Sequence, residues 1–154
     1  MDTSIRKASI KDLEDILRLN KALFDSETVF NDEYNLNWTY SKFGRDYFER
    51  MINSGIAIVA EIDKKVVGYL VASIHIFSFR KDNPIAELGN MYVEEKYRRH
   101  GIGKKLVNEM MQVAKEKGVK RVKVEAAFQN ENAIKFYKSC GFEEFDIILQ
   151  SRLD

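Results

Sequence analysis

Between a strand-like run, Ile85 to Val93, and a strongly helical one, Lys104 to Lys117, the chain places two glycines one residue apart, Gly101 and Gly103. Glycine has no Cβ, so backbone N–H groups there can approach a ligand closely. The helix that follows adds the positive end of its dipole. A strand, a glycine-rich turn and a helix start, in that order, therefore favour an anion, typically a phosphate. Arg98, Arg99, Lys104 and Lys105 strengthen that field. A plain strand-to-helix turn with solvated charges would use the same residues, so the turn alone does not fix the chemistry. The turn lacks the Gly-x-x-x-x-Gly-Lys-Ser/Thr pattern and no second acidic strand end offers a magnesium site, which sets aside a nucleotide phosphotransferase. His75 and His100 are too few and too scattered to hold a metal, and none is expected. Cys140, with no patterned histidine near it, reads as a buried side chain rather than a nucleophile.

These residues need elements to position them. Thr3 to Lys7 reads as a short strand, and Ser9 with Asp12 as a helix start with an acidic third position. Leu13, Ile16, Leu17, Leu23 and Phe24 fall at helical spacings. An acidic connection without a single lysine or arginine follows, Asp25 to Asn37. Tyr40, Phe43, Tyr47, Phe48, Met51 and Ile52 mark a second amphipathic helix that Gly55 ends. From Ile56 the period changes: Ile56 to Ile62 and Val66 to Phe77 are β-branched and aromatic and predict a hairpin. Ser78 to Pro84 is a polar loop. Ala86 to Val93 is the next strand, the helix after the glycine turn stops at Gly118, and Arg121 to Ala127 is another strand. Asn130 to Cys140 is a short helix with Ala133, Phe136 and Tyr137 on one face, and Phe142 to Leu153 closes the chain as a strand.

The order β-α-α-β-β-β-α-β-α-β predicts a single α/β domain over residues 1–154, a mixed sheet with helices on both faces. Its strands pair in parallel where a helix separates them, near 85–127, and antiparallel in the hairpin. With 45% hydrophobic residues the chain can fill a core, and with 32% charged residues it can stay in solution. No apolar run approaches the roughly eighteen residues of a membrane span, and the N-terminus lacks the apolar stretch of a signal peptide. A net charge of +1 argues against a general nucleic-acid binder. One cysteine forms no internal disulfide and fits a reducing cytoplasm.

Two stretches resemble the GNAT superfamily of acetyl-CoA-dependent N-acetyltransferases. Arg98-Arg99-His100-Gly101-Ile102-Gly103 is similar to the family's Arg/Gln-x-x-Gly-x-Gly/Ala pyrophosphate loop. Asn130-Glu131-Asn132-Ala133-Ile134-Lys135-Phe136-Tyr137-Lys138-Ser139-Cys140-Gly141-Phe142 is similar to its second signature, Asn-x-x-Ala-x-x-Leu/Phe-Tyr-x-x-x-Gly-Phe. The two lie about thirty residues apart with a strand between them, and the element order resembles the family over nearly the whole chain. The resemblance implies that the backbone from Arg98 through His100, Gly101, Ile102 and Gly103 to Lys104 holds the pyrophosphate of acetyl-CoA. It further implies that Met91, Tyr92 and Val93 pair with the pantetheine arm as a strand would. Such an edge exists in the family where two parallel strands splay, and Gly89-Asn90 is a fair marker of the bulge that often accompanies it.

Acetyl transfer to an amine needs a base to make the nucleophile neutral and an acid for the leaving thiolate. By the resemblance Glu87, in an otherwise apolar strand, is the candidate base. A salt-bridged edge carboxylate is the alternative, and Glu125 is the second candidate. Whether Glu87 shares a face with Met91 and Val93 depends on the bulge. Tyr137 is the candidate acid, because a phenol stays protonated at neutral pH; a tyrosine buried for its ring is the alternative. Asn130 and Asn132 could hydrogen-bond the CoA arm or cap the helix. Trp38 and Tyr40 could border the acceptor pocket, and the acidic 25–33 segment could attract a cationic amine. The expectation is acetyl transfer to a small cationic amine. A protein N-terminus or lysine as acceptor, or an acyl-CoA sensor without turnover, stays open. A homodimer is expected through the apolar Phe145 to Leu149.

Overall fold

The β-branched runs pair as their alternation demands. In the computed structural model, which describes residues 2–154, five strands form one sheet: β1 Ser4–Lys7, β2 Ile56–Ile62, β3 Lys65–His75, β4 Ile85–Val93 and β5 Arg121–Val124, side by side in that order. Neighbours from β1 to β4 run antiparallel, whereas β4 and β5 run parallel across an intervening helix. Four helices flank the sheet: α1 Leu13–Glu27, α2 Lys42–Ser54, α3 Ile102–Glu116 and α4 Glu131–Ser139.

Strand alternation divides the core into two layers. Ile16, Leu17, Phe48 and Met51 of α1 and α2 pack against Val59, Tyr69 and Val71 on one face. On the other, Ile102, Leu106 and Met110 of α3 pack against Ile58, Leu70 and Leu88, with Phe136 and Tyr137 of α4 at the margin. Each fully buried aliphatic side chain contributes about 1.5–3 kcal/mol, so these stripes hold the helices on the sheet. Local signals set the helix ends. The Asp12 carboxylate accepts the Ser9 N–H at 2.8 Å and receives both terminal nitrogens of Arg6 at 2.8 and 2.9 Å just before α1. The Ser41 hydroxyl accepts the Gly44 N–H at 3.3 Å at the start of α2, and Gly55 ends that helix. No helix among the described residues is long and apolar enough to cross a membrane.

Three expectations need correction. Helix α1 continues to Glu27 instead of yielding at Asp25, because Lys21 and Asp25 pair at 2.7 Å one turn apart and the Ser26 and Thr28 hydroxyls bond back to carbonyls. Strand β5 stops at Val124, not Ala127. Its ladder with β4 ends at Leu88↔Val124, where Gly89 follows as an extra residue that breaks the register. The closing strand Phe142 to Leu153 does not form. Phe142 is packed at the edge of the α3 layer, but among the described residues the chain beyond it pairs with no strand, and Phe145, Ile147, Leu149 and Leu153 are 72%, 82%, 89% and 92% exposed. Strand propensity without a partner's hydrogen bonds does not make a strand.

Candidate active site

The site is built where β4 and β5 part. Their parallel ladder joins Ile85–Leu88 to Arg121–Val124 and no further, so Asn90–Val93 is paired by β3 alone, and among the described residues no strand covers its other edge, where only the Val93 carbonyl is taken, by the Arg98 side chain. Unpaired backbone donors and acceptors on such an edge can be met by an extended amide-bearing ligand.

Above that edge lies the glycine turn. Arg99 and Gly101 both take left-handed conformations, with φ of 65° and 77°, and Gly101 is the residue just before α3. The first N–H groups of α3 have no acceptor within the helix. A Cβ at Gly101 would meet nothing within 4 Å, so the turn is open to a ligand. Gly103 serves another purpose. A Cβ there would lie 3.0 and 3.1 Å from the Phe136 ring, so this glycine lets α4 press against the first turn of α3. Arg98 ties the turn to the sheet: its Nε donates to the Val93 carbonyl at 2.8 Å, and its guanidinium lies 4.9 Å from the Tyr92 ring centre. His100 is exposed beside the Tyr97 carbonyl. An open left-handed turn and a helix start together offer an anion site, next to a strand edge that an extended amide-bearing chain can pair with.

Gly89 is the bulge. Val71 opposes Asn90 while Ala72 opposes Leu88, which leaves Gly89 extra. The consequence is a switch of faces. Leu88, Met91 and Val93 lie in the α3 layer, whereas Tyr92 packs in the α1–α2 layer and Asn90 bonds to residues there. A chain of hydrogen bonds pins the bulge. Thr39 Oγ1 donates to Asn20 Oδ1 at 2.7 Å, Asn20 Nδ2 donates to the Tyr69 hydroxyl at 3.0 Å, and that hydroxyl donates to Asn90 Oδ1 at 2.5 Å. Asn90 Nδ2 then donates to the Tyr47 hydroxyl at 3.3 Å. Asn20 and Thr39 are fully buried, and buried polar groups are retained when each has a partner. Tyr47 in turn fills the space a side chain at position 89 would need: its hydroxyl lies 2.6 Å from the Cβ position of Gly89.

Glu87 sits in the paired part of β4 opposite Ser73 and Lys123, with Lys123 Nζ 3.8 Å from its carboxylate. Tyr137 projects from α4, its ring packed edge-on between Phe136 and Phe142. Burial pushes its hydroxyl up to about 12, and the Glu27 carboxylate adds to that shift. Burial likewise raises the Glu27 carboxyl. Tyr34 is raised by burial, then by Glu27 and Glu125, so two carboxylates and two phenols share one neighbourhood between the end of α1 and α4. Asn130 caps α4, with Oδ1 accepting the Ala133 N–H at 3.1 Å, while Asn132 is exposed on its first turn. Trp38 stacks on Phe24, which stacks on Tyr34 at 4.5 Å. Sequence reasoning missed Asn20, Tyr47, Tyr69 and Asn90 as one network. The signal that could have raised them was polar residues at core positions of α1 and β3.

The geometry agrees with comparisons to known proteins. The profile of the Acetyltransferase (GNAT) family matches residues 19–142. An uncharacterized N-acetyltransferase of Methanocaldococcus jannaschii is 29% identical over 94% of this chain, which spans 62% of that protein. A spermidine N(1)-acetyltransferase of Thermoplasma acidophilum is 26% identical over 95% of this chain and 91% of its own. An N-alpha-acetyltransferase of Sulfurisphaera tokodaii is 31% identical over 94% and 82%. Among solved structures, an aminoglycoside acetyltransferase from a soil metagenome, in complex with sisomicin, superposes with a TM-score of 0.73 at 25% identity, covering 99% of this chain and 97% of that one. A family match across most of the chain and a strand pair that opens beside a left-handed turn lead to one conclusion: this chain belongs to the GNAT family of acetyltransferases.

Proposed function

We infer that the protein transfers an acetyl group from acetyl-CoA directly to a primary amine, and that the acceptor is a small cationic metabolite. The observation that carries the reading is the uncovered edge of Asn90–Val93 beside the open Gly101 turn, with Tyr137 packed in the same layer as Met91 and Val93. In this reading the backbone from Arg98 to Lys104 holds the pyrophosphate, Met91 to Val93 bind the pantetheine, and acetyl-CoA supplies the activated acyl group. The Glu87 carboxylate takes a proton from the acceptor's ammonium, directly or through water, while Asn130 and Asn132 flank the CoA arm. As the amine nitrogen bonds to the acyl carbon and the C–S bond breaks, Tyr137 gives its proton to the leaving sulfur, and the second proton that the nitrogen sheds as the amide forms returns to the Tyr137 oxygen, directly or through water. A hydroxyl raised to about 12 is fully protonated at neutral pH, as an acid in waiting must be.

Carboxylates support a cationic acceptor. Glu27 and Glu125 lie near Tyr34, and Asp32 and Glu33 are on the same loop; clefts lined by one sign of charge concentrate ligands of the other. The names of the spermidine and aminoglycoside acetyltransferases point the same way. The Sulfurisphaera relative favours a second reading, a protein N-terminus as acceptor. A cytoplasmic setting and a homodimer through the C-terminal segment complete the proposal.

A thermal-shift titration with acetyl-CoA, with ATP as control, tests the cofactor. Acetyl-CoA at 100 times its dissociation constant should add about 2.7 kcal/mol of stability. Thiol release with spermidine, an aminoglycoside and an N-terminal peptide then separates the acceptors. No shift with acetyl-CoA refutes the reading, and turnover with the peptide alone replaces the metabolite by a protein. Glu87→Gln should lower turnover at neutral pH without weakening acetyl-CoA binding, and an unchanged pH–rate profile removes Glu87 as the base.

A further inference from the structure

The hydrogen bonds that pin the bulge all point one way. Thr39 donates to Asn20, Asn20 to Tyr69, Tyr69 to Asn90 and Asn90 to Tyr47. A phenol oxygen that accepts still has its own O–H to give, and the Tyr47 O–H meets no acceptor among the described residues. The side chain is only half-buried.

This last donor stands over the point where the sheet opens. The hydroxyl oxygen lies 2.6 Å from where a Cβ of Gly89 would be, and Gly89 directly follows Leu88, the last residue of the β4–β5 ladder. Side chains alternate along a strand, so Glu87 faces away from Leu88 and the α3 layer, toward α1 and α2. Asn90, three residues on, would face the other way in an unbroken strand. The extra residue Gly89 turns it to the side of Glu87. Tyr47 bonds to the one and feels the charge of the other. On that face Glu87 has Ser73 and Lys123 as direct strand neighbours, with His75 bonded to Ser73 at 2.7 Å and Arg50 beside the Tyr47 ring at 5.8 Å. Lys123, at 3.8 Å, is too distant for a hydrogen bond, and the Glu87 carboxylate accepts none among the described residues. A donor without an acceptor and an acceptor without a donor thus share one side of the strand opening. Polar groups beyond direct reach of each other are commonly joined by one water.

We propose that Tyr47 is a positioning residue for the base: its hydroxyl donates to a water that carries the acceptor's proton to Glu87. The ammonium gives a proton to this water as the water gives one of its own to the carboxylate, so the water is regenerated and the nitrogen lone pair is freed. Tyr47 keeps its proton. Burial raises its hydroxyl above the ordinary phenol value, against the pull of Asn90 and Arg50, and Glu87 adds to the rise, so it acts as a donor and not as a second base. The network thereby does more than hold Gly89: the Asn90 amide occupies a lone pair of the phenol oxygen and so restricts where its O–H can point. This role rests on Glu87 being the base and selects the route through water.

Tyr47→Phe removes the hydroxyl and keeps the ring against Trp38 and Phe48. With whichever of spermidine, an aminoglycoside or an N-terminal peptide is acetylated, kcat/KM for the acceptor should fall about tenfold at about pH 7, as for one lost hydrogen bond. KM for acetyl-CoA and the acetyl-CoA thermal shift should not move. An ammonium loses its proton unaided near its own pKa, about 8 for an N-terminus and about 10 for an alkylamine, so the deficit should shrink as pH rises toward that value. A bulge merely loosened by the substitution would lower the rate by the same factor throughout. Glu87→Gln should show a deficit with the same pH dependence, and the double variant should be no slower than Glu87→Gln alone, because both act on one proton. A Tyr47→Phe deficit that is absent, constant with pH, or multiplied onto that of Glu87→Gln overturns the role of Tyr47 and leaves Glu87 as a base that acts without it. A Glu87→Gln deficit that does not change with pH overturns the base itself, so the two failures are distinguishable.

Discussion

Replacing Gly89 by alanine tests how the bulge is held. An alanine Cβ would lie 2.6 Å from the Tyr47 hydroxyl oxygen, whereas ordinary contact begins near 3.4 Å, so the ring would have to retreat by about 0.8 Å. There is little room to do so, because the Tyr47 ring packs edge-on against Phe48 at 4.9 Å and tilted against Trp38 at 5.4 Å. Retreat would also stretch the 3.3 Å hydrogen bond from Asn90. Overpacking of this kind costs about 1–3 kcal/mol, less up to about 1 kcal/mol gained when alanine replaces a strand glycine. Gly89→Ala should therefore destabilise by about 1–2 kcal/mol. Tyr47→Phe removes one hydrogen bond and should cost about 1 kcal/mol. With the hydroxyl gone, the nearest atoms to an alanine Cβ are the Val71 carbonyl oxygen at 3.7 Å and the ring carbon at 4.0 Å, both comfortable. The double variant should thus be no less stable than Tyr47→Phe alone, a coupling of about 1–2 kcal/mol. Urea unfolding, followed by far-UV circular dichroism and by the fluorescence of Trp38, reads all four proteins. Additivity within about 0.5 kcal/mol would refute the steric account.

Other perturbations give shorter tests. Gly101→Val forces a β-branched residue into a left-handed turn, φ 77°, and fills the open side of that turn. It should abolish the acetyl-CoA thermal shift, and retained affinity would remove the turn from the cofactor site. Tyr137→Phe should lower kcat by about 10²–10⁴ with acetyl-CoA binding intact, the range of a lost general acid; the unmodified enzyme should keep its acid form as pH rises past 10, because the hydroxyl is raised to about 12. Asp12→Asn should cost about 2 kcal/mol, the worth of hydrogen bonds to a charged group, with calorimetry as the readout. Arg6 holds the Asp12 carboxyl below its ordinary value. The stability this gives is complete above that ordinary value and lost as pH falls through the lowered one, so the unmodified protein should lose more stability below pH 4 than the variant does.

The order of elements up to α4 was legible because periodicity changes cleanly at Gly55–Ile56 and because Gly101 and Gly118 punctuate α3. The bulge was legible from Gly89 in a strand, and the capping role of Asn130 from its place before the helix. What was not legible depended on contacts distant in sequence. Phe142 to Leu153 reads as a strand by propensity, yet propensity has no effect without an adjacent edge. The Thr39–Asn20–Tyr69–Asn90–Tyr47 network joins α1, the loop before α2, α2, β3 and β4, and no local pattern announces it. Gly103 looked like a ligand-approach glycine, whereas its neighbour is the Phe136 ring. Glu27 and Tyr34 acquire their place beside Tyr137 only through the fold.

The contact between Gly103 and Phe136 has a kinetic meaning. Phe136 and Tyr137 are consecutive on α4, and the first turn of α3 rests on the former with no side chain between them. A ligand that steadies that turn thereby steadies the helix carrying the phenol. Free energy shared in this way is reciprocal: whatever acetyl-CoA contributes to the acceptor's affinity, the acceptor returns to acetyl-CoA. Initial-rate lines for the two substrates should therefore intersect away from the axes, and a bulkier residue at position 103 should bring them back toward independence.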